Sequence, residues 1–335
     1  MTPPIPKNEI PCRLCGSSDS ELFATTREHE YEGTTDEEFT VVRCKACGLI
    51  YLNPQPDVSS LPRIYPPGYA CHDDLRKADV ATLSGRLKAR LAKRLGPDRA
   101  ILQLARQIGA DRIGTVLDIG CGSGRMLDAF RSALPGVVTH GLDYSPEACA
   151  IARAKGHRIA QTLIEDADYP AESFDLIYSS NVIEHIADPR VLMRKAAAWL
   201  RPGGYFLCET PNVDGTGAAL FGRSGYWGGY HAPRHWTFFS PATLTRLASD
   251  EGFETARIAF VPVPIFWMWT FHHILLRASG SRGLADALMP VKDGKWNRPW
   301  SFVVKSFFTA VDVGLGVLGR RSCLMSALLR KPEKR

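Results

Sequence analysis

The feature that most constrains the fold is a glycine-rich turn between a short apolar strand and a helix. Residues 116–127 run VLDIGCGSGRML, so that Asp118 comes just before three glycines at alternate positions. Glycines let the backbone turn sharply and approach a ligand closely because they carry no Cβ atom. The helix that follows would direct its free N–H groups at that ligand. The pattern indicates a ligand site at the strand–helix turn.

Short strands and helices alternate on both sides of this turn. The pattern predicts strands at 115–119, 137–142, 158–162, 174–179, 204–210 and 255–261, and helices at 125–134, 146–154, 189–199 and 241–251. Repeated βα units of this length imply right-handed crossovers and a parallel sheet covered on both faces. Ligands of such sheets bind at the carboxyl ends of the strands. Asp118, Gly120, Asp143 and Asn181 are predicted to lie there.

The first 60 residues contain two C-x-x-C pairs, each followed by glycine and separated by 28 residues. This spacing is typical of a tetrahedral zinc ribbon with the ligands Cys12, Cys15, Cys44 and Cys47. Four cysteines leave no open coordination position, so the predicted zinc is structural. Redox-active pairs or unrelated thiols remain alternatives. Because so short a segment has little core of its own, loss of zinc is expected to unfold residues 1–60 alone.

The motif VLDIGCGSG is similar to the first motif of class I S-adenosylmethionine (SAM) methyltransferases. Further blocks agree in order and spacing: GLDYS at 141–145, SFDLIY at 173–178 with NVIEH at 181–185, and LRPGGY at 200–205. The resemblance covers roughly residues 110–260. It implies an α/β fold with a Rossmann-like seven-stranded sheet, whose last, antiparallel strand would be residues 323–329. Residues 262–322 would then form an apolar helical insertion before that strand.

A zinc ribbon that ends in NPQP, at residues 53–56, resembles a group that includes sugar C-methyltransferases and ubiquinone-type methyltransferases. In that group, aromatic residues of the following linker can reach the substrate cleft. Tyr65 and Tyr69 are therefore candidates for substrate contact, with simple linker packing as the alternative.

The resemblance implies SAM as the cofactor. Asp143 would accept both ribose hydroxyls, the glycine loop would approach the methionine portion, and Asp118 would orient that loop or receive the ammonium group. Tyr144 would lie beside the adenine. The predicted cofactor-binding residues are Asp118, Gly120, Cys121, Gly122, Gly124, Asp143, Tyr144, Glu165, Asp166 and Asn181.

Methyl transfer to a weakly acidic acceptor needs a base near its proton, and histidine suits that role at neutral pH. The loop at 211–240 is rich in glycine and aromatic residues, which is typical of a substrate lid. His231, His235 and Tyr230 in this loop are the catalytic candidates. The alternative is that these histidines only hydrogen-bond the loop to the core. His185 is expected to be structural.

These observations divide the chain into five regions. They are a zinc-ribbon module at 1–60, a linker with basic helices at 61–110, a SAM-binding core at 111–261 that includes the lid, the insertion at 262–322, and the last strand with the tail at 323–335.

The net charge of +6 is concentrated in the flanks of the core. A basic amphipathic helix at 82–95 and two apolar, tryptophan-bearing segments at 261–276 and 302–318 suit a peripheral membrane contact. Polar residues interrupt the two apolar segments, so neither is expected to span a bilayer. Helical cover of the sheet, or a dimer interface, is the alternative. The N-terminus lacks an apolar signal segment, which favours a cytoplasmic protein with membrane association left open.

The predicted function is SAM-dependent methylation of a small-molecule or lipid-linked acceptor, with the methylated atom left open. Methylation of a nucleotide-linked sugar is a second hypothesis. A non-catalytic zinc-ribbon protein that binds nucleic acid is a third. The intact glycine loop, Asp143 and the acidic residues of the ribbon count against that third hypothesis.

Overall fold

The computed structural model describes residues 4–65, 97–291, 299–319 and 321–333. The basic helix predicted at 82–95, and Tyr69, lie outside the described residues.

The N-terminal region is a small antiparallel β-structure. Its strands are β1 (Lys7–Asn8), β2 (Ser20–Arg27), β3 (Glu38–Cys44), β4 (Ile50–Leu52) and β5 (Gln55–Pro56), followed by the short helix α1 (Leu61–Ile64). Strands β2, β3 and β4 pair in sequence, and the two C-x-x-C turns lie at the same end of this hairpin arrangement. This is the connectivity that the ribbon prediction requires.

The central sheet contains seven strands and confirms the predicted fold class. Along the chain these are β6 (Thr115–Ile119), β7 (Val138–Asp143), β8 (Arg158–Gln161), β9 (Phe174–Ser180), β10 (Leu200–Pro211), β12 (Glu254–Val261) and β13 (Leu324–Arg330). Their spatial order is β12-β13-β10-β9-β6-β7-β8. Strand β13 runs antiparallel to β10 and β12, and the pairs β10–β9, β9–β6, β6–β7 and β7–β8 are parallel. The glycine loop leaves β6 in the middle of the sheet.

Helices cover both faces of this sheet. They are α2 (Pro97–Ile108), α3 (Arg125–Ala133), α4 (Pro146–Ala154), α5 (Pro189–Trp199), α6 (Thr216–Phe221) and α7 (Pro241–Asp250). Apolar residues of α2 and α3 pack with β6 and β9 in one core cluster. Residues of α5 and α7 pack with the same strands in another. Apolar residues spaced three or four apart on each helix produce these buried stripes.

The insertion before β13 is helical, as predicted. It consists of α8 (Ile265–Ser279), α9 (Arg282–Leu288) and α10 (Pro299–Val317). Helix α8 is largely inside the protein, with Trp267 buried and its indole N–H donating to Asp312 of α10 at 3.3 Å. The segment at 261–276 is therefore mostly interior, whereas α10 leaves a broad apolar face exposed.

Helix α10 has two faces of different environment. Ser301, Val304, Phe308 and Asp312 are buried at helical spacing, and Phe308 stacks on Phe271 of α8. The opposite face exposes the apolar side chains of Trp300, Phe302, Val303, Phe307, Val313 and Val317. Among the described residues, α10 is the one helix with the length and apolar composition of a membrane span. Polar residues interrupt both apolar segments, so the sequence predicts that neither spans a bilayer. Helix α10 nevertheless meets these two criteria of length and composition.

The zinc-ribbon region is continuous with the rest of the protein. Strand β11 (Thr237–Phe238), from the loop after β10, pairs with β4 and completes a four-stranded sheet with order β11-β4-β3-β2. Arg190 at the start of α5 donates to the carbonyl oxygens of Arg13 and Leu14 in the first cysteine turn. Because these parts share one sheet and one core, separate unfolding of residues 1–60 on zinc loss is not expected.

The second half of the loop predicted as a substrate lid, residues 225–240, is packed inside the protein. Nearly every residue from 225 to 240 is buried, and Trp227, Tyr230 and Trp236 belong to a core cluster shared with β3 and β4. Gly225 lies against the backbone of β2, where its carbonyl accepts from the Thr26 hydroxyl at 2.9 Å. This part of the loop is a fixed connection between the ribbon and the sheet.

A buried ion pair holds the hairpin after β2 against this loop. The Arg234 guanidinium donates to Glu28 Oε2 at 2.5 Å, and both side chains are almost fully buried. The other oxygen of Glu28 accepts from the backbone N–H groups of Glu30 and Tyr31. The Arg234 guanidinium also lies over the ring of Tyr31, 4.4 Å from its centroid. One pair thus orders the hairpin tip and fixes it to the loop.

Replacing Arg234 with methionine should lower the free energy of unfolding by about 3–5 kcal/mol, because Glu28 is left as an unpaired buried charge. Guanidinium denaturation followed by tryptophan fluorescence measures this loss. The double variant Arg234→Met with Glu28→Gln should recover part of it.

The matched control is Arg27→Met, which breaks the exposed pair of Arg27 with Glu38. Exposed pairs contribute about 0–1 kcal/mol, so this variant should unfold close to wild type. Equal losses in the two arginine variants would contradict the assignment.

Candidate functional site

The glycine loop is held tightly against the neighbouring strand. The backbone N–H groups of Gly120 and Cys121 both donate to the carbonyl oxygen of Leu142 in β7, at 2.7 and 3.1 Å. Gly120 has φ +77°, and a Cβ atom there would lie 2.4 Å from Val182 Cγ2. Only glycine fits this position, because it avoids both the backbone strain and the clash.

Asp143 ends β7 and connects the loop to the next helix. Its Oδ2 accepts from the backbone N–H of Gly122 at 2.8 Å, and its Oδ1 accepts from Ser145 N–H at 2.9 Å. Ser145 is the N-cap of α4 and accepts from Ala148 N–H. Asp143, the residue predicted to bind the ribose, therefore lies against the glycine loop at the carboxyl edge of the sheet.

Two further carboxyl groups lie at the same edge of the sheet, on β6 and β10. Asp118 is buried, and burial raises its pKa well above the ordinary value, with smaller contributions from the charges of Asp143 and Glu209. Glu209, near the end of β10, accepts from the Tyr178 hydroxyl at 2.8 Å. The carboxylates of Asp143 and Glu209, together with Asp118 where it is ionised, produce a negative potential that favours a cationic ligand. The ammonium and sulfonium groups of SAM fit this site.

The remaining predicted cofactor residues differ in their positions. Asn181, at the end of β9, is exposed with φ +53°, and its N–H donates to the carbonyl of Glu209. Tyr144 is 57% exposed beside Asp143. Cys121 is buried, with its sulfur packed towards Gly141. Glu165 and Asp166 are exposed in the turn after β8.

The four predicted zinc ligands come together. The sulfur atoms of Cys12, Cys15, Cys44 and Cys47 all lie within 4.8 Å of one another. Two of the separations, Cys12–Cys47 and Cys15–Cys44, are 3.5 Å. Four sulfurs at such spacing fit a tetrahedral zinc with Zn–S bonds of about 2.3 Å. In both turns a glycine N–H donates back to the carbonyl of the first cysteine, as in Gly16 to Cys12.

Histidines cluster where the turn after β9 meets the loop after β10. The ring centroids of His185 and His235 are 4.5 Å apart, and those of His231 and His235 are 4.9 Å apart. Tyr65 reaches this cluster, with its hydroxyl 2.7 Å from His185 Nδ1. Burial lowers the pKa of His231 to about 3 and those of His185 and His235 well below the ordinary value.

The catalytic candidates occupy unequal positions. Tyr230 is buried in the core and its hydroxyl donates to the carbonyl of Gly222 at 2.8 Å, so the structure does not bring this hydroxyl to an open cleft. His231 lies 2.5 Å from a carboxylate oxygen of Glu30. His185, which was expected to be structural, and His231 are partly buried, whereas His235 is buried.

Sequence reasoning missed two acidic residues of this region. Glu209 acts electrostatically on Asp118, which precedes the glycine loop, but Glu209 itself follows no motif glycine. Glu184 is fully buried beside the histidines, and burial raises its pKa to about 8. The sequence offered one signal for each residue. Glu209 is an acidic residue near the end of an apolar strand, and Glu184 is an acidic residue in the apolar turn after β9.

Comparison with known proteins identifies the family. A family profile described as a methyltransferase domain matches residues 80–258, more than half of the chain. The chain therefore belongs to this methyltransferase family, and the predicted membership of the class I SAM-dependent methyltransferases is confirmed.

Individual relatives are more distant. The chain is 29% identical over 154 residues to the ubiquinone biosynthesis O-methyltransferase of Thiobacillus denitrificans. This alignment covers 43% of this chain and 66% of that protein. It is 31% identical over 165 residues to the enzyme of the same name from a Bradyrhizobium species, covering 45% and 64%. The chain thus spans just under two thirds of these relatives. The structure of a SAM-dependent methyltransferase from Mesorhizobium loti superposes with a TM-score of 0.44 at 15% identity, covering 71% of this chain and 99% of that one.

Gly120→Ala should abolish SAM binding, because the added methyl group meets Val182 and displaces the loop that approaches the ligand. Isothermal titration calorimetry with SAM measures the effect. Gly136→Ala is the matched control, since Gly136 also has positive φ but a Cβ atom there meets nothing within 4 Å. Wild-type affinity in Gly120→Ala would contradict the placement of the ligand.

The affinity for SAM should rise with pH across the titration of Asp118. A cationic ligand favours the ionised carboxylate, so binding releases a proton wherever Asp118 is protonated in the free protein. Below the pKa of Asp118, each pH unit should lower the affinity by up to about tenfold. Calorimetry in buffers of different ionisation enthalpy counts the released proton, and Asp118→Asn should remove both effects. Proton uptake on binding would contradict this electrostatic account.

Proposed function

We propose that this protein transfers a methyl group from SAM to a hydroxyl group of a small, lipid-linked acceptor. The observation that carries the proposal is the group of three carboxylates, Asp118, Asp143 and Glu209, around the glycine loop. SAM would supply the methyl group as part of a sulfonium cation, which needs a binding site of negative potential. Asp143 would then exchange its bond with Gly122 N–H for bonds to the ribose hydroxyls.

The acceptor would lie between Asn181 and the histidines His185, His231 and His235. These residues follow β9 and β10, at the same edge of the sheet as the glycine loop. A site of this kind holds the acceptor oxygen in line with the methyl group, and positioning accounts for most of the catalysis. Relatives named as O-methyltransferases of ubiquinone biosynthesis support a hydroxyl as the methylated group.

We also propose that α10 contacts a lipid surface. Its exposed face carries large apolar side chains, with Phe302 70% and Phe307 60% exposed. An apolar helical face with an adjacent tryptophan, here Trp300, suits the interfacial region of a bilayer. Such a contact would bring an acceptor with a long apolar tail to the enzyme.

The activity is tested by incubating the protein with radiolabelled SAM and a short-chain polyprenylated catechol. Wild type should form a labelled methyl ether, and Asp143→Ala should lose most of its SAM affinity, since charge-assisted hydrogen bonds to the ribose disappear. Glu147→Ala, in the first turn of α4, is a control that should bind SAM normally. SAM binding without transfer to any hydroxylated acceptor would refute the acceptor class, whereas no SAM binding would refute the activity itself.

The lipid contact is tested by sedimentation with vesicles of phosphatidylglycerol and phosphatidylcholine. Wild type should bind, and the double variant Phe302→Ser with Phe307→Ser should bind at least about tenfold more weakly, because two large apolar groups no longer leave water. Leu22→Ser is the matched control, since Leu22 is an exposed apolar residue of the ribbon. Absence of vesicle binding, together with a stable dimer, would favour the alternative interface.

A further inference from the structure

A second group of metal-ligating side chains lies apart from the cysteine cluster. Glu184, His185 and His235 each offer one ligand atom, and these atoms lie within 4.8 Å of one another. The turn after β9 supplies Glu184 and His185, and the loop before β11 supplies His235. The backbone N–H of Trp236 donates to the carbonyl of Glu184 at 2.7 Å, which fixes the two segments to each other.

The Glu184 carboxylate is satisfied on one side only. Its Oε2 accepts from the Thr210 hydroxyl at 2.9 Å. Its Oε1 is buried and has no hydrogen-bond partner within the described part of the chain. His235 Nε2 lies 3.9 Å from this oxygen, which is too long for a hydrogen bond. A buried polar atom without a partner is costly, so this oxygen marks a position that a ligand can complete.

The tautomer of His235 directs a lone pair rather than a proton to this position. His235 Nδ1 is 2.8 Å from the carbonyl oxygen of Gly229, so Nδ1 carries the proton and Nε2 has the free lone pair. His185 Nδ1 lies 3.2 Å from the carbonyl oxygen of Arg234 and 2.7 Å from the Tyr65 hydroxyl, so a proton on Nδ1 requires the hydroxyl oxygen of Tyr65 to act as an acceptor. Metal-binding histidines characteristically donate their second N–H to a backbone carbonyl.

In the ionised form of Glu184, Oε1 and His235 Nε2 are thus two acceptors that face each other 3.9 Å apart. We propose that Glu184, His185 and His235 bind a divalent transition-metal ion, in a site separate from the ribbon zinc. Two histidines and one carboxylate are the donor set of open zinc and iron(II) sites, which leave a coordination position for another ligand. His185 is the least buried of the three, so that position lies on its side of the cluster.

The role of this ion rests on the proposed function. The open position would take the hydroxyl oxygen of the acceptor and lower its pKa, so that its proton passes to water. That oxygen then forms a bond to the methyl carbon of SAM, and the carbon–sulfur bond breaks with its electron pair on sulfur. The products are a methyl ether and S-adenosylhomocysteine. In this scheme the neutral, buried histidines hold the metal ion, and the ion rather than a histidine base promotes the loss of the hydroxyl proton.

The test is a cobalt titration of the purified protein that retains its ribbon zinc. Equilibrium dialysis should find one additional Co²⁺ per chain, with weak visible absorption bands and without the intense near-ultraviolet absorption of cobalt–thiolate bonds. His235→Asn keeps a donor for the Gly229 carbonyl but removes the facing lone pair, and it should weaken cobalt binding by more than about 100-fold. Glu184→Gln should do the same. His157→Asn, at a buried histidine bonded to Thr139 and Asp128, is the control that should bind cobalt normally.

Wild-type protein that binds no additional cobalt, or binds it only with thiolate absorption, would overturn the proposal, and this outcome does not depend on the folding of any variant. Unchanged binding in a folded His235→Asn variant would also overturn it. Calorimetry with SAM on the same samples separates the two hypotheses. SAM binding without the second metal refutes the metal site alone, and absence of SAM binding refutes the proposed function.

Discussion

The pairing of β4 with β11 is the contact on which the arrangement of the site depends. It inserts a strand from the loop after β10 into the sheet of the zinc ribbon, and it thereby fixes a long loop that would otherwise be mobile. The loop carries His231 and His235, and the hairpin that follows β2 carries the glutamates that pair with His231 and Arg234. The ribbon therefore acts as a scaffold for one wall of the active region. A zinc ion held by its four cysteines would stabilise that wall without taking part in the chemistry.

The carboxyl edge of the central sheet brings two electrostatically different sites together. Around the glycine loop, acidic groups favour a cation. At the ends of β9 and β10, neutral histidines and a buried carboxyl group favour a metal or a hydroxyl. Backbone bonds such as Asn181 N–H to the Glu209 carbonyl connect the two. The proposed transfer of a methyl group from a sulfonium to an oxygen would use both sites.

The sequence was sufficient for the central fold because each element there has a local signal. Helix α4 begins at Pro146, directly after a serine cap, and helix α5 begins at Pro189 after an aspartate cap, as periodicity and capping predict. The cysteine spacing likewise predicted the sulfur cluster. The pairing of β4 with β11 had no such signal, because it joins segments almost 190 residues apart through two short strands. The burial of Tyr230 follows from that distant packing, and the burial of Trp267 follows from the packing of α8 against α10. Neither contact has a local signal in the sequence.

The most direct test of this account is a crystal structure with S-adenosylhomocysteine bound. The account predicts the ribose hydroxyls on the Asp143 carboxylate, the amino-acid portion over the Gly120–Gly124 turn near Asp118, and the sulfur directed towards the histidines that follow β9 and β10. A ligand bound elsewhere, or one with its sulfur directed away from those histidines, would contradict it.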